Sequence, residues 1–451
     1  MAEKAQECVA NFFIESGERL TYTTCSVNEN KESHTNDDEL SEEMPPGPPE
    51  APDGGPHAWL AVLGGCFVLF NCWGLVQAFG AFQSYYTVNT LRDYNSSTIS
   101  WIGTVQSFLL VFIGVVTGPI FDQGHLRTLL IVGSSMMVFG LMMLSLSTQY
   151  YEILLSQSIC LGLGSGCIFT PAIAQVTVLF SKRRPLALAL TTVGVGLGGI
   201  IYPIIFDQLE PKIGFGWTTR VIGFVALATL GMALTALSWK KAEKKPPRAL
   251  FDWSALREPE FITFNVAVFM MFTAYWVPWF YIPLFARFGA GASTSLSFYL
   301  LSITNALTIV GRLMTPVLQR WFNPVHLLFG VTLLSGTLIW SWISITELPN
   351  FIAFCIFWGL ISGTMAVLPA SGVAMLSPSM NVVGARMGMV WAISAVGVLI
   401  GSPIAGAVSD PRENRFLGGQ IYAGICMFVG CAFHGWTILF LRRQKKKSAE
   451  K

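Results

Sequence analysis

Twelve apolar stretches, each long enough to cross a lipid bilayer, constrain the fold of this chain more than any other feature. A transmembrane helix needs about 20 mostly apolar residues to span ~30 Å of hydrocarbon. Of the 451 residues 53% are hydrophobic and only 12% charged, too few to cover a soluble fold of this size. We therefore predict an all-α membrane protein with twelve transmembrane helices in two six-helix halves. The stretches lie near 58–83, 98–120, 127–147, 152–178, 186–206, 217–238, 261–286, 293–317, 325–345, 350–373, 383–408 and 418–441.

The two ends of the chain and the connection between the halves differ in composition from the apolar stretches. Residues 1–57 hold thirteen of the 26 acidic residues, only three Lys or Arg and many prolines, which predicts a disordered tail. No basic segment followed by a short apolar run occurs there, so a cleaved signal peptide is not expected. The predicted organisation is an acidic tail 1–57, a first half 58–238, a basic linker 239–260, a second half 261–441 and a basic tail 442–451.

The distribution of Lys and Arg predicts the orientation in the membrane. With both termini in the cytoplasm, nineteen of these cations lie on the inner side and six on the outer side, as the positive-inside rule requires. The sequon Asn95-Ser96-Ser97 then falls in the first outer loop, where Asn95 is a candidate glycosylation site. The plasma membrane is the expected location, and the vacuolar membrane is the alternative.

A short motif follows the second apolar stretch, where residues 118–127 read GPIFDQGHLR. Gly118 and Gly124 allow close helix approach and a tight turn. Asp122, at a helix end, can accept hydrogen bonds from a neighbouring helix N-terminus or an arginine. With Arg127, this segment resembles the GxxxDxxGxx(R/K) loop of the major facilitator superfamily, and the resemblance implies a role in gating.

The second half carries a degenerate copy of this loop, TPVLQRW at 315–321, with Gln319 in the place of the aspartate. A partial repeat fits two halves related by duplication. PDGG at 52–55 and LFSKRRPLA at 179–187 resemble segments of the monocarboxylate porters, and similarity to their fungal branch covers residues 52–441. This resemblance implies a major facilitator fold whose halves rock around a central cavity to expose it to each side in turn.

Charged groups inside the membrane are costly and therefore mark candidate sites. After residue 57 no carboxylate falls near the middle of a predicted span, which argues against a carboxylate proton relay. Arg312 lies within the eighth span, where the family places an arginine, and it is a candidate to pair with an anionic group of a solute. The alternatives for Arg312 are a cytoplasmic gate contact or a snorkelling side chain. Animal porters carry a lysine and an aspartate where this chain has Gln77 and Thr308, so lactate-type proton coupling is not expected.

Several uncharged side chains complete the candidate site. Interhelical hydrogen bonding is the alternative for the polar ones, and an aromatic belt at the membrane interface is the alternative for Trp279 and Tyr281 in the seventh span. Arg220 and Arg386 are expected at the membrane interface, and His434 is expected to pack between helices. The predicted substrate-binding residues are Arg312, Gln77, Asn305, Tyr275 and Trp276.

The predicted function is transport of a small organic acid or amphipathic metabolite, with export of a fungal secondary metabolite preferred. Uptake of a monocarboxylate or riboflavin-like nutrient is one alternative, and a nutrient sensor built on a carrier fold is another. We find no nucleophile–base set and no metal-ligand spacing among the nine cysteines, so no enzyme activity, metal or cofactor is expected. The expected partners are the bilayer and an anionic solute, without nucleic acid, and the protein is expected to work as a monomer.

Overall fold

The structure, a computed structural model, describes residues 54–180, 183–238 and 251–449, and its long elements are all α-helices. The predicted acidic tail as far as residue 53 and the first part of the predicted linker, 239–250, lie outside the described residues. The helices begin and end close to the boundaries of the apolar stretches, because lipid requires every backbone amide and carbonyl of a span to bond within its own helix.

The first half begins with a span that is interrupted once. Its two parts are α1 (Pro56–Gln77) and α2 (Phe79–Val88), with Ala78 between them. A later span contains a π-helical turn (Leu154–Cys160) between α5 (Tyr150–Ile153) and α6 (Leu161–Leu179). The other helices of this half are α3 (Ser96–Asp122), α4 (Leu126–Leu144) and α7 (Arg184–Leu237).

Helix α7 contains two spans. Its 54 residues would extend ~80 Å as one straight helix, more than twice the thickness of the hydrocarbon core. Gly214 breaks it with φ 74° and ψ 166°, a backbone conformation that glycine adopts without strain. The described residues contain eleven helices long and apolar enough to cross a membrane, and α7 crosses it twice. The twelve crossings match the predicted number.

The second half follows a short 3-10 helix (Trp253–Arg257) that lies within the predicted linker. Its last helix continues past the predicted end of the span at residue 441. A second 3-10 turn (Pro411–Glu413) precedes that helix. The helices are α8 (Pro259–Phe288), α9 (Thr294–Leu318), α10 (Pro324–Trp342), α11 (Leu348–Leu376), α12 (Met380–Ala407) and α13 (Leu417–Ala449).

Glycines bring neighbouring helices into direct backbone contact. A Cβ atom on Gly194 of α7 would fall on the carbonyl oxygen of Cys66 in α1. One on Gly164 of α6 would lie 2.8 Å from the carbonyl oxygen of Gly133 in α4. Such small residues permit the close packing on which helix association in lipid depends. The glycines at 162–166 therefore serve helix packing.

The bundle has two ends, which we name by their loops. The linker end carries the start of α1, the end of α3 and the starts of α8 and α12; the distal end carries the α2–α3 and α12–α13 connections. At the distal end the two halves touch: the Ser97 hydroxyl donates to the carbonyl of Pro403 at 2.8 Å. At the linker end α3 and α12 separate around a cavity. The halves are therefore closed at one end and apart at the other.

Candidate functional site

A cavity of about 260 Å³ lies between the two halves in the part of the seam nearer the linker end. It extends from Trp73 on α1 to Asp122 at the end of α3, and its wall is mostly apolar. Helices of both halves contribute to this cavity. Carriers that expose one binding site to each side in turn bind their solute at such an interface between the halves. Its lining residues are Trp73, Val111, Gly114, Val115, Gly118, Pro119, Phe121, Asp122, Phe169, Thr170, Ala174, Gly384, Met387, Gly388 and Trp391.

Aromatic rings form the inner part of this wall. Trp73 of the first half stacks on Trp276 of the second half, with ring centroids 5.9 Å apart and planes 5° from parallel. Phe169 meets Trp73 edge-on at 5.6 Å, and Trp391 contacts Phe272 at 5.4 Å. The two halves thus meet in the middle of the bundle through a pair of tryptophans.

Arg312 lies next to Tyr275 and does not line the cavity. Its side chain is only 8% exposed and its Nε atom makes no hydrogen bond within the described residues. In the described part of the chain no carboxylate lies within 4.0 Å of Arg312, and its one electrostatic neighbour is the Tyr275 hydroxyl. A buried guanidinium without a counter-ion is costly, and an anionic ligand would offset that cost. The snorkelling alternative is wrong for Arg312, because the side chain is buried in protein.

The structure brings the predicted site residues together in part. Tyr275 and Trp276 are adjacent to Arg312 and to the cavity wall, and their rings lie 5.2 Å apart. Gln77 lies one helical turn after Trp73, at the end of α1, and its buried Oε1 has no hydrogen-bond partner among the described residues. An interrupted helix next to an unpaired polar group is typical of a transporter site.

Asn305 belongs to a different part of the seam. It is fully buried on α9, and its Nδ2 donates to the carbonyl of Leu301 at 2.9 Å. Its Oδ1 has no partner in the described part of the chain, and a Cβ atom on Gly199 of the first half would collide with this amide. Asn305 therefore packs against the other half and does not reach the cavity.

The first part of the predicted gating motif lies in the cavity wall near the linker end. Gly118 and Asp122 both line the cavity, and Asp122 is buried. Gly124 has φ 90°, which is the tight turn that its position predicts. A Cβ atom on Gly118 would meet open space, so the close helix approach predicted there is absent in this conformation. Arg127 is exposed at the linker end.

Trp279 and Tyr281, for which an aromatic belt was the alternative, are both buried and do not face lipid. The Tyr281 hydroxyl lies 3.1 Å from that of Ser100 on α3, across the two halves. His434 is buried on α13 and packs against Phe264 at 5.7 Å, while neither of its ring nitrogens has a hydrogen-bond partner in the described chain. These residues shape the seam and the core, and none of them lines the cavity.

Sequence reasoning missed an ion-pair cluster at the linker end. Arg386, expected at the membrane interface, is 0% exposed at the start of α12. Its Nε donates to Asp252 at 2.8 Å, and its Nη1 and Nη2 donate to Glu258 at 2.7 and 2.5 Å. Nη1 also donates to the carbonyl of Leu376 at 3.0 Å. The cluster joins the segment that precedes α8 to the first turns of α12.

Replacing Arg386 with alanine is expected to lower the free energy of unfolding by about 2 kcal/mol, because two partly exposed carboxylates lose the charged hydrogen bonds of a buried guanidinium. Hydrogen bonds from Ser254 and then Arg386 hold the pKa of the Asp252 carboxyl below its ordinary value. The part of this contribution that comes from Asp252 is therefore complete at neutral pH and is lost as the pH falls below about 4. Denaturation midpoints of the purified protein measure both effects. Arg257→Ala, at an exposed neighbouring cation, should leave the midpoint unchanged; equal midpoints for the two variants would contradict the role of the cluster.

The distal end is sealed by an arginine that the sequence did not single out. Nη2 of Arg412 donates to the carbonyl oxygens of Thr87 and Tyr94, both at 3.1 Å, and so joins the second half to the first. With the contact from Ser97 to Pro403, it closes the seam at this end. Arg412 could be recognised only from the fold, because its partners are backbone atoms more than 300 residues away in the chain.

Arg412→Ala should open the distal end more often, since two hydrogen bonds from a charged donor are lost. We expect a cysteine introduced by Ser100→Cys, a buried position, to react about tenfold faster with a membrane-impermeant maleimide. Arg415→Ala is the matched control, because Arg415 is 77% exposed and pairs with Glu413 of its own loop. An unchanged labelling rate in the Arg412 variant would contradict this assignment.

Asn95 is exposed at the distal end, and its Oδ1 caps α3 by accepting from the amide of Thr98 at 2.7 Å. Glycosylation of Asn95 remains a prediction. Over residues 54–180, 183–238 and 251–449, no group of three or more His, Cys, Asp or Glu is placed to hold a metal ion.

The sequence signature of the Major Facilitator Superfamily matches residues 61–402. The chain belongs to this superfamily and is a multi-pass membrane transporter. A solved structure of the peptide transporter POT in complex with alafosfalin has the same fold, with a TM-score of 0.68 at 14% identity over 87% of this chain and 97% of that one.

Two fungal relatives from Emericella nidulans are similar over nearly the whole chain. The MFS-type transporter dbaD is 38% identical, over 84% of this chain and 85% of its own length. The aspyridones efflux protein apdF is 34% identical, over 86% of this chain and 79% of its own length.

Proposed function

We propose that this transporter exports a small organic acid or an amphipathic metabolite bearing an acidic group, by alternating access. The observation that carries the proposal is the buried Arg312, which has no counter-ion among the described residues and is linked through Tyr275 and Trp276 to the wall of a cavity that both halves line. Export of a fungal secondary metabolite is supported by the similarity to apdF, whose name assigns it the efflux of aspyridones. The segments at 52–55 and 179–187 support placement in the monocarboxylate-porter-like branch.

The proposed orientation is compatible with export. We place both termini, the linker and therefore the linker end in the cytoplasm, because nineteen of the 25 Lys and Arg outside the acidic tail would lie on that side. The cavity would then load from the cytosol while Arg412 holds the outer end closed. We place the protein in the plasma membrane, where this cycle carries the solute out of the cell as a monomer.

The orientation predicts that reporter tags at both termini respond only after the plasma membrane is permeabilised. In this orientation Asn95 faces the secretory lumen, and a glycan there should be removable by glycosidase and lost in Asn95→Gln. Asn350, exposed near the start of α11 and outside any sequon, gives the control substitution Asn350→Gln, which should leave the glycan in place. Tags accessible on intact cells would contradict the orientation.

Profiling of metabolites in cells and medium, with and without the protein, tests the function. Export predicts that at least one acidic metabolite accumulates in cells that lack the protein and is depleted from their medium. Purified protein in liposomes should then move that metabolite. Depletion from cells and retention in the medium would instead support nutrient uptake, and no solute dependent on the protein would overturn transport of this class.

A further inference from the structure

A chain of aromatic contacts leads from the cavity to the arginine. Trp73 lines the cavity, and Trp276 lies behind it, only 2% exposed. Tyr275 meets Trp276 edge-on at 5.2 Å and is the electrostatic neighbour of Arg312. The tryptophan pair is therefore the part of the cavity wall that contacts the neighbours of Arg312.

The geometry of the pair suits the entry of a flat ring. Two parallel rings with a third ring between them lie about 7 Å apart, because carbon atoms in contact are separated by about 3.5 Å. The faces of Trp73 and Trp276 are already nearly parallel, with planes that differ by only 5° and centroids 5.9 Å apart. The two rings belong to different halves, so a relative movement of the halves by about one ring thickness, ~3.5 Å, would admit a flat ring between them.

Unpaired donors lie beside the stack. The indole N–H of Trp276 and the Nε of Arg312 are both buried and make no hydrogen bond to any part of the chain that the structure describes. Buried donors are normally paired, and a ligand with acceptor atoms would pair these. Phe169 and Trp391 add aromatic surface on the cavity side, so the path from cavity to arginine runs from flat apolar walls to a cation.

We propose that the solute is a planar aromatic acid, whose ring enters between Trp73 and Trp276 while its anionic group binds Arg312. The inference rests on the proposed function and adds the class of substrate. An aliphatic acid of the same charge and size would satisfy the guanidinium but would lose the stacking on two ring faces. Trp73 and Trp276 are therefore the residues that determine specificity for aromatic solutes.

Binding of naphthoate and of its fully hydrogenated analogue tests this proposal. The two probes share a carboxylate and a carbon skeleton and differ in planarity and aromatic character. For the full chain in lipid nanodiscs, calorimetry should give about tenfold tighter binding of naphthoate. Trp276→Leu and Trp73→Leu should remove this preference, whereas Trp276→Phe should retain most of it. Trp321→Leu, at a side chain that is 72% exposed outside the cavity, should change nothing.

Equal affinity of the wild-type protein for the two acids, or no binding of naphthoate at millimolar concentration, would overturn the proposal without any variant. A preference that survives in both leucine variants would also overturn it. These results differ from failure of the proposed function, in which no cellular solute depends on the protein. If the solute found by profiling is transported, if its transport depends on Arg312 and if it has no aromatic ring, the proposed export is supported and the proposed aromatic class of substrate is wrong.

Discussion

Gly118→Leu should reduce transport about a hundredfold while the protein folds normally. Gly118 lines the cavity opposite Gly384 and Gly388 of α12, and a side chain at Gly118 meets open space in the present conformation. Closing the linker end must bring these glycine surfaces together, so a leucine there would overpack the closed seam and depopulate that state. Because leucine forms helices better than glycine, the denaturation midpoint should stay equal or rise.

Gly231→Leu provides the control for this variant. Gly231 lies in α7, is exposed, and a Cβ atom there also meets open space. Gly231→Leu adds the same side chain within a helix, but at a position outside the cavity, so transport should be retained. Normal transport by Gly118→Leu would show that α3 and α12 do not approach each other at this position during the cycle.

Arg312→Ala should abolish transport of the acidic solute. Loss of a buried partner for an anion costs about 3 kcal/mol, which corresponds to roughly a hundredfold in affinity. Arg312→Lys keeps the charge but loses the planar fork, so we expect partial activity at best. Efflux from preloaded liposomes measures the effect without interference from metabolism.

Arg320→Ala separates a site effect from a general effect of charge. Arg320 follows the end of α9 and is exposed, so its removal should leave transport of the solute unchanged. Since Arg312 is a buried cation without a carboxylate partner in the described chain, its removal should not destabilise the fold. Full activity in Arg312→Ala would rule out pairing of this side chain with the solute.

The helices were predictable because lipid imposes length and apolarity on each span separately. The break at Gly214 shows what such a rule leaves open: the polar segment 207–216 between the two spans continues the helix, and a single glycine conformation makes the turn. The turn at Gly124 was readable from the motif, because only the local backbone conformation decides it.

The site was only partly predictable. Arg312, Tyr275 and Trp276 stand out as unusual residues within apolar spans, and they are neighbours in the fold. Trp73 and Trp391 looked like ordinary membrane residues, and only the pairing of helices from different halves places them at the cavity. The contacts of Arg386 and Arg412 could not be predicted, for the same reason. Their partners lie over a hundred residues away, and sequence spacing carries no information about such contacts.

The Arg412 side chain donates its hydrogen bonds to peptide oxygens, and such atoms neither gain nor lose protons at physiological pH. Acidifying the compartment at the distal side therefore does not remove the acceptors of these two hydrogen bonds, whereas a carboxylate acceptor in the same place would be lost on protonation. Opening of the distal end must then break them by movement of the two halves and not by protonation of the acceptors.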